Sequence, residues 1–251
     1  MILVIGCGFV GEAVAQSLEE NGTEVVRIDP KHNDNKIEDY IDIAQCAIVA
    51  VPTPSNNGVC DDSVVIDVLR RLGELPTLLK STVPLTMLNT YPDNVTYNPE
   101  FLRAKTAKED FDNQTQFILG GTQMRCYFWE QIFNYLPNAK FTYTDRATAS
   151  MVKYAHNNWL ALKVAFFHEL YYNMGTQYNH NDLIKILAGN SNIGPSHMQA
   201  PNDEGLLGFG GHCFPKDTEA FLAFTGSEII EQAIETNNKL RNAKHSFKED
   251  V

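Results

Sequence analysis

The chain has 251 residues, a formal net charge of −11 and 43% hydrophobic residues. This length holds one large domain or two smaller ones, and the mixed composition is typical of a folded globular protein. No cluster of lysine and arginine is present, which argues against a nucleic-acid binder. Short apolar runs and five scattered cysteines predict a cytoplasmic protein with reduced thiols, without signal peptide or membrane segment.

Short apolar strands alternate with helical segments over the first 120 residues. The predicted strands are MILVI, EVVRI, AIVAV, TLLK, VTYN and TQFIL, and the predicted helices are VGEAVAQSLEENG and DDSVVIDVLRRLGEL. This alternation predicts an α/β fold with a doubly wound parallel sheet of the Rossmann type.

Helices dominate the rest of the sequence. One long helix is predicted from Asp145 to about Gln177, and shorter helices at 181–189 and 226–247 flank a Gly/Pro/Asn-rich loop at 189–212. We therefore expect a nucleotide-binding domain at 1–140 and an all-helical domain at 141–251. The long helix carries apolar residues on more than one side, which predicts a homodimer through the helical domain.

The segment GCGFVG follows the first strand and opens the first helix, which is the context of a dinucleotide-binding loop. Gly6 would permit the tight turn, Gly8 would admit a pyrophosphate, and Gly11 would let helix and strand pack closely. Asp29 lies 18 residues after Gly11, at the end of the second strand. Its carboxylate would accept from ribose hydroxyls and repel a 2′-phosphate, so NAD is the predicted cofactor.

Lys153 and Asn157 are four residues apart on the long helix and so share a face. A helical lysine is usually a solvated charge, but the surrounding sequence MVKYAHNNWLALKVAFF is largely apolar. An ammonium group beside an amide can stabilise an oxyanion that forms on a substrate hydroxyl.

Cys213 and Asp217 are also four residues apart, and Pro215 suits the first turn of a helix. A cysteine at a helix N-terminus, with Lys216 nearby, has its thiolate form stabilised. A lone cysteine is more often a buried structural residue, but the preceding glycines would let a ligand approach the backbone.

The seven histidines form no metal-binding pattern. HELYY at 168 lacks the second histidine of a zinc helix, and His212 has no further ligand at zinc spacing. We therefore expect no metal.

In several segments the chain resembles the UDP-glucose/GDP-mannose dehydrogenase family, in matching order. These segments are GCGFVG, VPTPS at 51–55, STVP at 81–84, NPEFL at 98–102, KYAHNNWLALKVAFFHE and GFGGHCFPKD. The resemblance implies NAD-dependent oxidation of the C6 alcohol of a nucleotide sugar, with UDP-glucose to UDP-glucuronate expected, in polysaccharide biosynthesis. It implies that the Cys213 thiol forms a thiohemiacetal and then a thioester, which water cleaves.

The resemblance also implies the site residues. The implied catalytic residues are Cys213, Lys153, Asn157, Asp217, Glu100 and Thr82. The implied or predicted cofactor-binding residues are Gly6, Gly8, Phe9, Val10, Gly11, Asp29, Pro52, Thr53, Ser81, Thr82 and Lys216. The implied substrate-binding residues are Glu100, Phe101, Leu102, Arg103, Lys153, Asn157, Gly208, Phe209 and Gly210.

The sequence departs from the family pattern in places. Family members continue into a further domain that grips the nucleotide, whereas this sequence ends at Val251. Asn192 stands where an arginine that reaches a substrate is usual, and Ala104 where a cofactor-side glutamate is common. Two alternatives stay open: a two-electron 3-hydroxyacid-type dehydrogenase, which needs no nucleophilic cysteine, and a non-catalytic NAD-binding remnant that acts through a partner chain.

Overall fold

The computed structural model describes residues 1–56, 58–174, 177–211 and 213–243. Its strands are β1 (Ile2–Ile5), β2 (Val25–Ile28), β3 (Cys46–Val49), β4 (Ser55–Asn56), β5 (Val59–Cys60), β6 (Thr77–Leu79), β7 (Val95–Tyr97), β8 (Gln116–Gly120) and β9 (Lys140–Thr144). Its α-helices are α1 (Phe9–Glu20), α2 (Ser63–Leu72), α3 (Leu85–Leu88), α4 (Ala107–Asp112), α5 (Gln123–Phe133), α6 (Arg146–Met174), α7 (His180–Ala188), α8 (Phe214–Thr225) and α9 (Glu228–Asn242).

Seven strands form one sheet in the order β2-β1-β3-β6-β7-β8-β9. Ile5 of β1 pairs in parallel with Ile28 of β2 on one side and with Val49 of β3 on the other. The strand order therefore reverses at β1, which is where doubly wound sheets bind ligands beyond the carboxyl ends of their strands. One pair, β7 with β8, is antiparallel, so the sheet is mixed rather than wholly parallel. The two strands run in opposite directions because β8 begins at the end of the sheet where β7 finishes.

Strand β1 shows why helices cover both faces of this sheet. All four of its residues are buried, and they alternate between two hydrophobic clusters. Leu3 and Ile5 join the cluster that contains the buried face of α2. Ile2 and Val4 join the cluster that contains the buried faces of α1 and α5. A strand buried on both faces reads as an unbroken apolar run, as β1 does. The predicted α/β class, a Rossmann-type sheet followed by helices, is confirmed.

The chain divides into two compact units, which are described separately below. Unit 1 is Met1–Asn56 with Cys60–Lys153, and unit 2 is Asn57–Val59 with Tyr154–Val251. The division falls within α6, so that helix contributes residues to both units. The domain boundary near residue 140 stays a prediction. Within the described ranges no helix is both long enough and apolar enough to cross a membrane.

Candidate active site

The glycine loop of unit 1 joins β1 to α1. Gly6 has φ of 87°, and a Cβ there would lie 2.5 Å from the carbonyl oxygen of Ala50. At Gly11 a Cβ would lie 1.9 Å from the carbonyl oxygen of Gly6. At Gly8, the N-cap of α1, a Cβ would meet no described atom within 4 Å. Gly6 and Gly11 must therefore be glycine, because a side chain there would collide with the backbone. Gly8 instead leaves its backbone open to a ligand.

Asp29 follows β2 and binds this loop. Its Oδ2 accepts from the N–H of Cys7 at 2.7 Å, and its Oδ1 accepts from the N–H of Lys31 at 2.9 Å. Burial alone would raise the pKa of Asp29, but these two hydrogen bonds bring it below its ordinary value. Burial, followed by the charge of Asp29, raises the pKa of the Cys7 thiol to about 11. A carboxylate with a lowered pKa therefore stands beside the loop, where an NAD ribose would need an acceptor.

A groove of about 640 Å³ lies beside the first turn of α1. Phe9, which is 42% exposed, lines it from α1, and Ala104 and Lys105 line it from a short 3₁₀ helix. Val10 follows in the same turn of α1 and is half-buried. The groove joins two positions that the sequence connects with the cofactor, Phe9 and Ala104. The open Gly8 backbone and Asp29 fit the chemistry of a dinucleotide, whereas the groove also carries the carboxylates of Glu12, Glu109 and Asp112.

The loops after β3 and β6 are tied together in unit 1. The Thr53 hydroxyl donates to the carbonyl of Thr82 at 2.8 Å, and the Ser81 hydroxyl donates to the carbonyl of Val51 at 2.8 Å. Pro52, between these contacts, is exposed, whereas Thr53 and Ser81 are buried. The VPTPS and STVP segments, which are distant in sequence, therefore form one edge beyond the parallel strands.

Lys153 binds Glu100 in unit 1. The Lys153 ammonium lies 3.0 Å from Oε1 of Glu100, donates also to the Glu100 carbonyl, and sits 5.3 Å from the centre of the Phe101 ring. The Lys153 residue is 3% exposed, so its charge is not the solvated one usual for a helical lysine. Glu100 also accepts from the N–H of Leu102 at 2.8 Å, which fixes its carboxylate. A buried ion pair with this many hydrogen bonds holds a lysine in one place.

Arg103 does not join this pair. Its guanidinium binds Asp110 through two nitrogens, at 3.0 and 2.6 Å, and its side chain is 75% exposed. The pKa of Asp110 is lowered to about 2, chiefly by Arg103.

Lys80 is a buried cation that the sequence interpretation missed. It directly follows β6, is 3% exposed and donates to Oδ1 of Asn98 at 2.5 Å. Burial lowers its pKa to about 8, with Glu100 opposing the shift and Lys153 adding to it. The signal was a lysine directly after the apolar run TLL. Lys80 therefore belongs to the charged surroundings of Glu100 and Lys153.

Asn157 binds Asp217 in unit 2. The Asn157 amide donates to Oδ2 of Asp217 at 2.6 Å, and the Lys216 ammonium donates to Oδ1 at 2.7 Å. Asp217 is 1% exposed and Asn157 is 5% exposed. The sequence placed Lys153 and Asn157 as neighbours on one helix face, but each side chain binds a different carboxylate. Asp217 is thus a buried carboxylate whose two oxygens both have partners.

Cys213 is the N-cap residue of α8, with Pro215 in the first turn. Its side chain is exposed, and its carbonyl accepts the N–H of Asp217 at 2.8 Å. The bond closes the first turn of α8 and links the thiol residue to the buried carboxylate. An exposed thiol at a helix N-terminus has the surroundings of a reactive cysteine.

The glycine segment 208–211 leads to Cys213. The N–H of Gly208 donates to Nδ1 of His168 at 2.8 Å, and the N–H of Phe209 donates to Oδ1 of Asn237 at 2.6 Å. A Cβ on Gly210 would lie 2.8 Å from Nη2 of Arg241. His168, Asn237 and Arg241 were not assigned to the site from the sequence. No sequence signal marks these partners, because each contact is long-range.

Among the described residues no group of three or more His, Cys, Asp or Glu side chains is placed to hold a metal ion. His212, which the sequence interpretation considered as a ligand and set aside, lies outside the described residues.

Comparisons with known proteins show which family the chain is similar to. A model of the UDP-glucose/GDP-mannose dehydrogenase family, central domain, matches residues 147–239. The UDP-glucose 6-dehydrogenase TuaD of Bacillus subtilis is 31% identical over 233 residues, which cover 82% of this chain and 49% of that protein. The chain thus spans about half the length of this curated relative.

Two solved structures show the same fold. A UDP-glucose dehydrogenase of Pyrobaculum islandicum superposes with a TM-score of 0.82 at 24% identity, over 95% of this chain and 68% of the other. A 3-hydroxyisobutyrate dehydrogenase of Mycobacterium tuberculosis, solved with L-serine, superposes with a TM-score of 0.71 at 18% identity, over 95% and 92%. The family resemblance seen in the sequence is confirmed: residues 147–239 match the central-domain model of the UDP-glucose/GDP-mannose dehydrogenase family, and the chain is similar to UDP-glucose 6-dehydrogenases over about half of their length.

Proposed function

We propose that the protein oxidises the C6 alcohol of a nucleotide sugar to the carboxylate with two NAD, and that UDP-glucose is the substrate. The product, a UDP-uronate, would serve polysaccharide biosynthesis. The observation that carries the proposal is the exposed Cys213 thiol at the N-terminus of α8, one helical turn before the buried Asp217. The name of the Bacillus relative supports the sugar.

We assign the cofactor to unit 1. The open backbone at Gly8 and the N-terminus of α1 would hold the pyrophosphate, and Asp29 would accept from the adenosine ribose. Bound NAD supplies the acceptor for each hydride. The remaining residues of the proposed cofactor set, on the loops after β3 and β6, would line the nicotinamide side.

We assign the chemistry to the two buried clusters, each described above on its own. In the first oxidation the C6 hydroxyl loses a proton and a hydride to become an aldehyde. The Lys153 ammonium and the Asn157 amide would stabilise the developing oxyanion. In the second stage the Cys213 sulfur bonds to the aldehyde carbon and the aldehyde oxygen takes up a proton in place of the one lost by the thiol, which gives a thiohemiacetal. The thiohemiacetal then loses its hydroxyl proton and a second hydride to become a thioester.

Water then cleaves the thioester. The water oxygen bonds to the acyl carbon, the carbon–sulfur bond breaks, and the thiol is restored as the acid leaves. Asp217 and Glu100 are the carboxylates that would move the water proton, and Thr82 would help to hold the water. The substrate would lie against Phe101, Leu102 and the glycine segment 208–210.

The product stoichiometry tests the proposal. Nucleotide sugars are supplied one at a time with NAD, and reduced nicotinamide and acid are measured per sugar consumed. Two reduced nicotinamides per acid are expected, and Cys213→Ser should abolish acid formation while NAD still binds. Cys126→Ala is the matched control, because burial raises the pKa of that thiol to about 11.

The two alternatives predict different outcomes. A stoichiometry of one, with Cys213→Ser active, would identify the two-electron hydroxyacid-type dehydrogenase. NAD binding without turnover of any sugar would identify the non-catalytic remnant.

We further propose a homodimer through α6. Trp159 and Phe166 on this helix are 60% and 61% exposed, although its opposite side buries Tyr154, Val164 and Phe167. A helix that is apolar on two sides needs cover on both, and a second copy would provide it. Sedimentation at micromolar concentration should show a dimer, and the double variant Trp159→Glu, Phe166→Glu should sediment as a folded monomer. A monomer in the unaltered protein would contradict the proposal.

A further inference from the structure

His168 binds the backbone of the glycine segment that precedes Cys213. Its Nδ1 accepts from the N–H of Gly208 at 2.8 Å. Since Nδ1 is the acceptor, the other ring nitrogen carries the hydrogen of the neutral imidazole. The imidazole is 2% exposed, so this contact with the segment is shielded from solvent.

A second side chain holds the next residue of the same segment. Oδ1 of Asn237, on α9, accepts from the N–H of Phe209 at 2.6 Å, and Asn237 is 6% exposed. Two consecutive backbone N–H groups are thus bound by side chains of two helices, α6 and α9. Buried donors must be paired, so these contacts define where the glycine segment runs.

Packing continues from this segment to Cys213. The Phe209 ring is 4% exposed and packs among Ala161, Val164 and Ala165 of α6 and Ala233 of α9. Its centre lies 6.4 Å from that of Phe214, at right angles. Phe214 directly follows Cys213 and begins α8. The packed rings of Phe209 and Phe214 thus connect the glycine segment to Cys213. A displacement at Gly208 would therefore also shift the residue that carries the thiol.

We propose that His168 is a positioning residue for Cys213: by accepting the Gly208 N–H, it holds the glycine segment so that the thiol stands at the N-terminus of α8. This role rests on the proposed function of Cys213 as nucleophile. The role needs an unprotonated Nδ1. Burial, with His180 nearby, lowers the pKa of His168 to about 4, so the ring is neutral at pH 7.

Two substitutions test the Gly208 contact of His168. His168→Asn places an amide oxygen near the position of Nδ1, so it keeps an acceptor for the Gly208 N–H. His168→Gln places its amide near the other ring nitrogen, so it leaves the Gly208 N–H unpaired. An unpaired buried donor is costly, so His168→Gln should slow alkylation of Cys213 by iodoacetamide about tenfold. His168→Asn should stay within about twofold of the unaltered protein, since it retains this hydrogen bond.

The measurement is the alkylation rate of Cys213 against pH, followed by peptide mass spectrometry. NAD affinity should stay unchanged in both variants, because the glycine loop of unit 1 is untouched. His180→Gln is the matched control: His180 contacts the carbonyl of Met198 at 3.3 Å and, among the described residues, forms no hydrogen bond with the glycine segment. Urea unfolding of every variant separates loss of positioning from loss of stability.

Equal alkylation profiles for His168→Gln and the unaltered protein would overturn the proposal, as would an equal loss in His180→Gln. If His168→Gln does not fold, His168→Asn still decides, because a thiol slowed about tenfold despite the retained acceptor for Gly208 would overturn the proposal. Alkylation needs no turnover. A failed sugar stoichiometry with His168-dependent alkylation would therefore refute the proposed function and leave the positioning role standing.

Discussion

Two glycine segments of this protein lead into helices and have opposite uses. The segment 6–11 opens α1, and a Cβ on Gly8 would meet no described atom within 4 Å. The segment 208–211 leads to α8, and there the side chains of Asn237 and Arg241 approach Gly208 and Gly210. The backbone at Gly8 in the first segment is open, whereas in the second segment the N–H groups of Gly208 and Phe209 are bound by side chains of their own unit. Glycine content alone therefore does not show whether a segment is held in place by its own protein.

The largest effect is expected from the glycine that the first segment needs for itself. A Cβ at Gly11 would lie 1.9 Å from the Gly6 carbonyl oxygen, so Gly11→Ala must displace backbone. We expect a loss of about 3 kcal/mol or more in the free energy of unfolding, together with loss of NAD binding. Urea unfolding and calorimetry measure both quantities.

Gly8→Ala is the contrast within the same segment. It should cost only about 1 kcal/mol in stability, as an N-cap change, yet weaken NAD binding because the methyl group occupies the ligand side. Unchanged NAD affinity in this variant would contradict the ligand role of the first segment.

Lowering the pH should destabilise the protein through His168, which binds the second glycine segment. Its pKa is lowered from 6.5 to about 4 in the folded chain, so below pH 6.5 the unfolded state binds more protons than the folded state. The contribution of the neutral His168 imidazole to the free energy of unfolding is therefore fully present above pH 6.5, and it is lost as the pH falls toward 4. It amounts to on the order of 2 kcal/mol, after allowance for residual solvent screening.

Urea unfolding at pH 7 and pH 5 should show this slope, and His168→Asn should flatten it. His180→Gln, which removes a second buried histidine whose pKa burial lowers, measures the share of the slope that His168 does not provide. An unchanged slope in His168→Asn would show that the imidazole is not the titrating group.

The smallest effect concerns cofactor choice at the first segment. Asp29 is held ionised by the N–H groups of Lys31 and Cys7, so it should disfavour the 2′-phosphate of NADP by about tenfold. Asp29→Asn should narrow the affinity gap between NAD and NADP in calorimetry. Equal affinities in the unaltered protein would show that Asp29 does not select the cofactor.

Local sequence was enough for much of the fold. All six predicted strands are present, and the long helix runs from Arg146 to Met174, within the predicted 145–177. Strands β4, β5 and β9 and helices α3, α4 and α5 were missed, of which β9 and α5 are the longest. KFTYT is partly exposed along its length, and QMRCYFWEQIF distributes its apolar residues around the helix, so neither has clear periodicity.

The sequence by itself determined the features that depend on neighbours in the chain. Gly6, Gly8 and Gly11 stand between a strand and a helix, and Cys213 stands before a helix with Pro215 in its first turn. Strand, turn and helix signals act over a few residues, so these positions could be assigned without tertiary contacts.

Only the tertiary structure decided which side chains meet. Lys153 binds Glu100, 53 positions away, Asn157 binds Asp217, 60 positions away, and His168 accepts from Gly208, 40 positions away. Helical spacing placed Lys153 and Asn157 on one face but could not say that each takes a different carboxylate. Such pairings arise when the packing of whole helices and strands buries polar groups, because buried polar groups need hydrogen-bond partners. The local sequence does not predict which partner each group will meet.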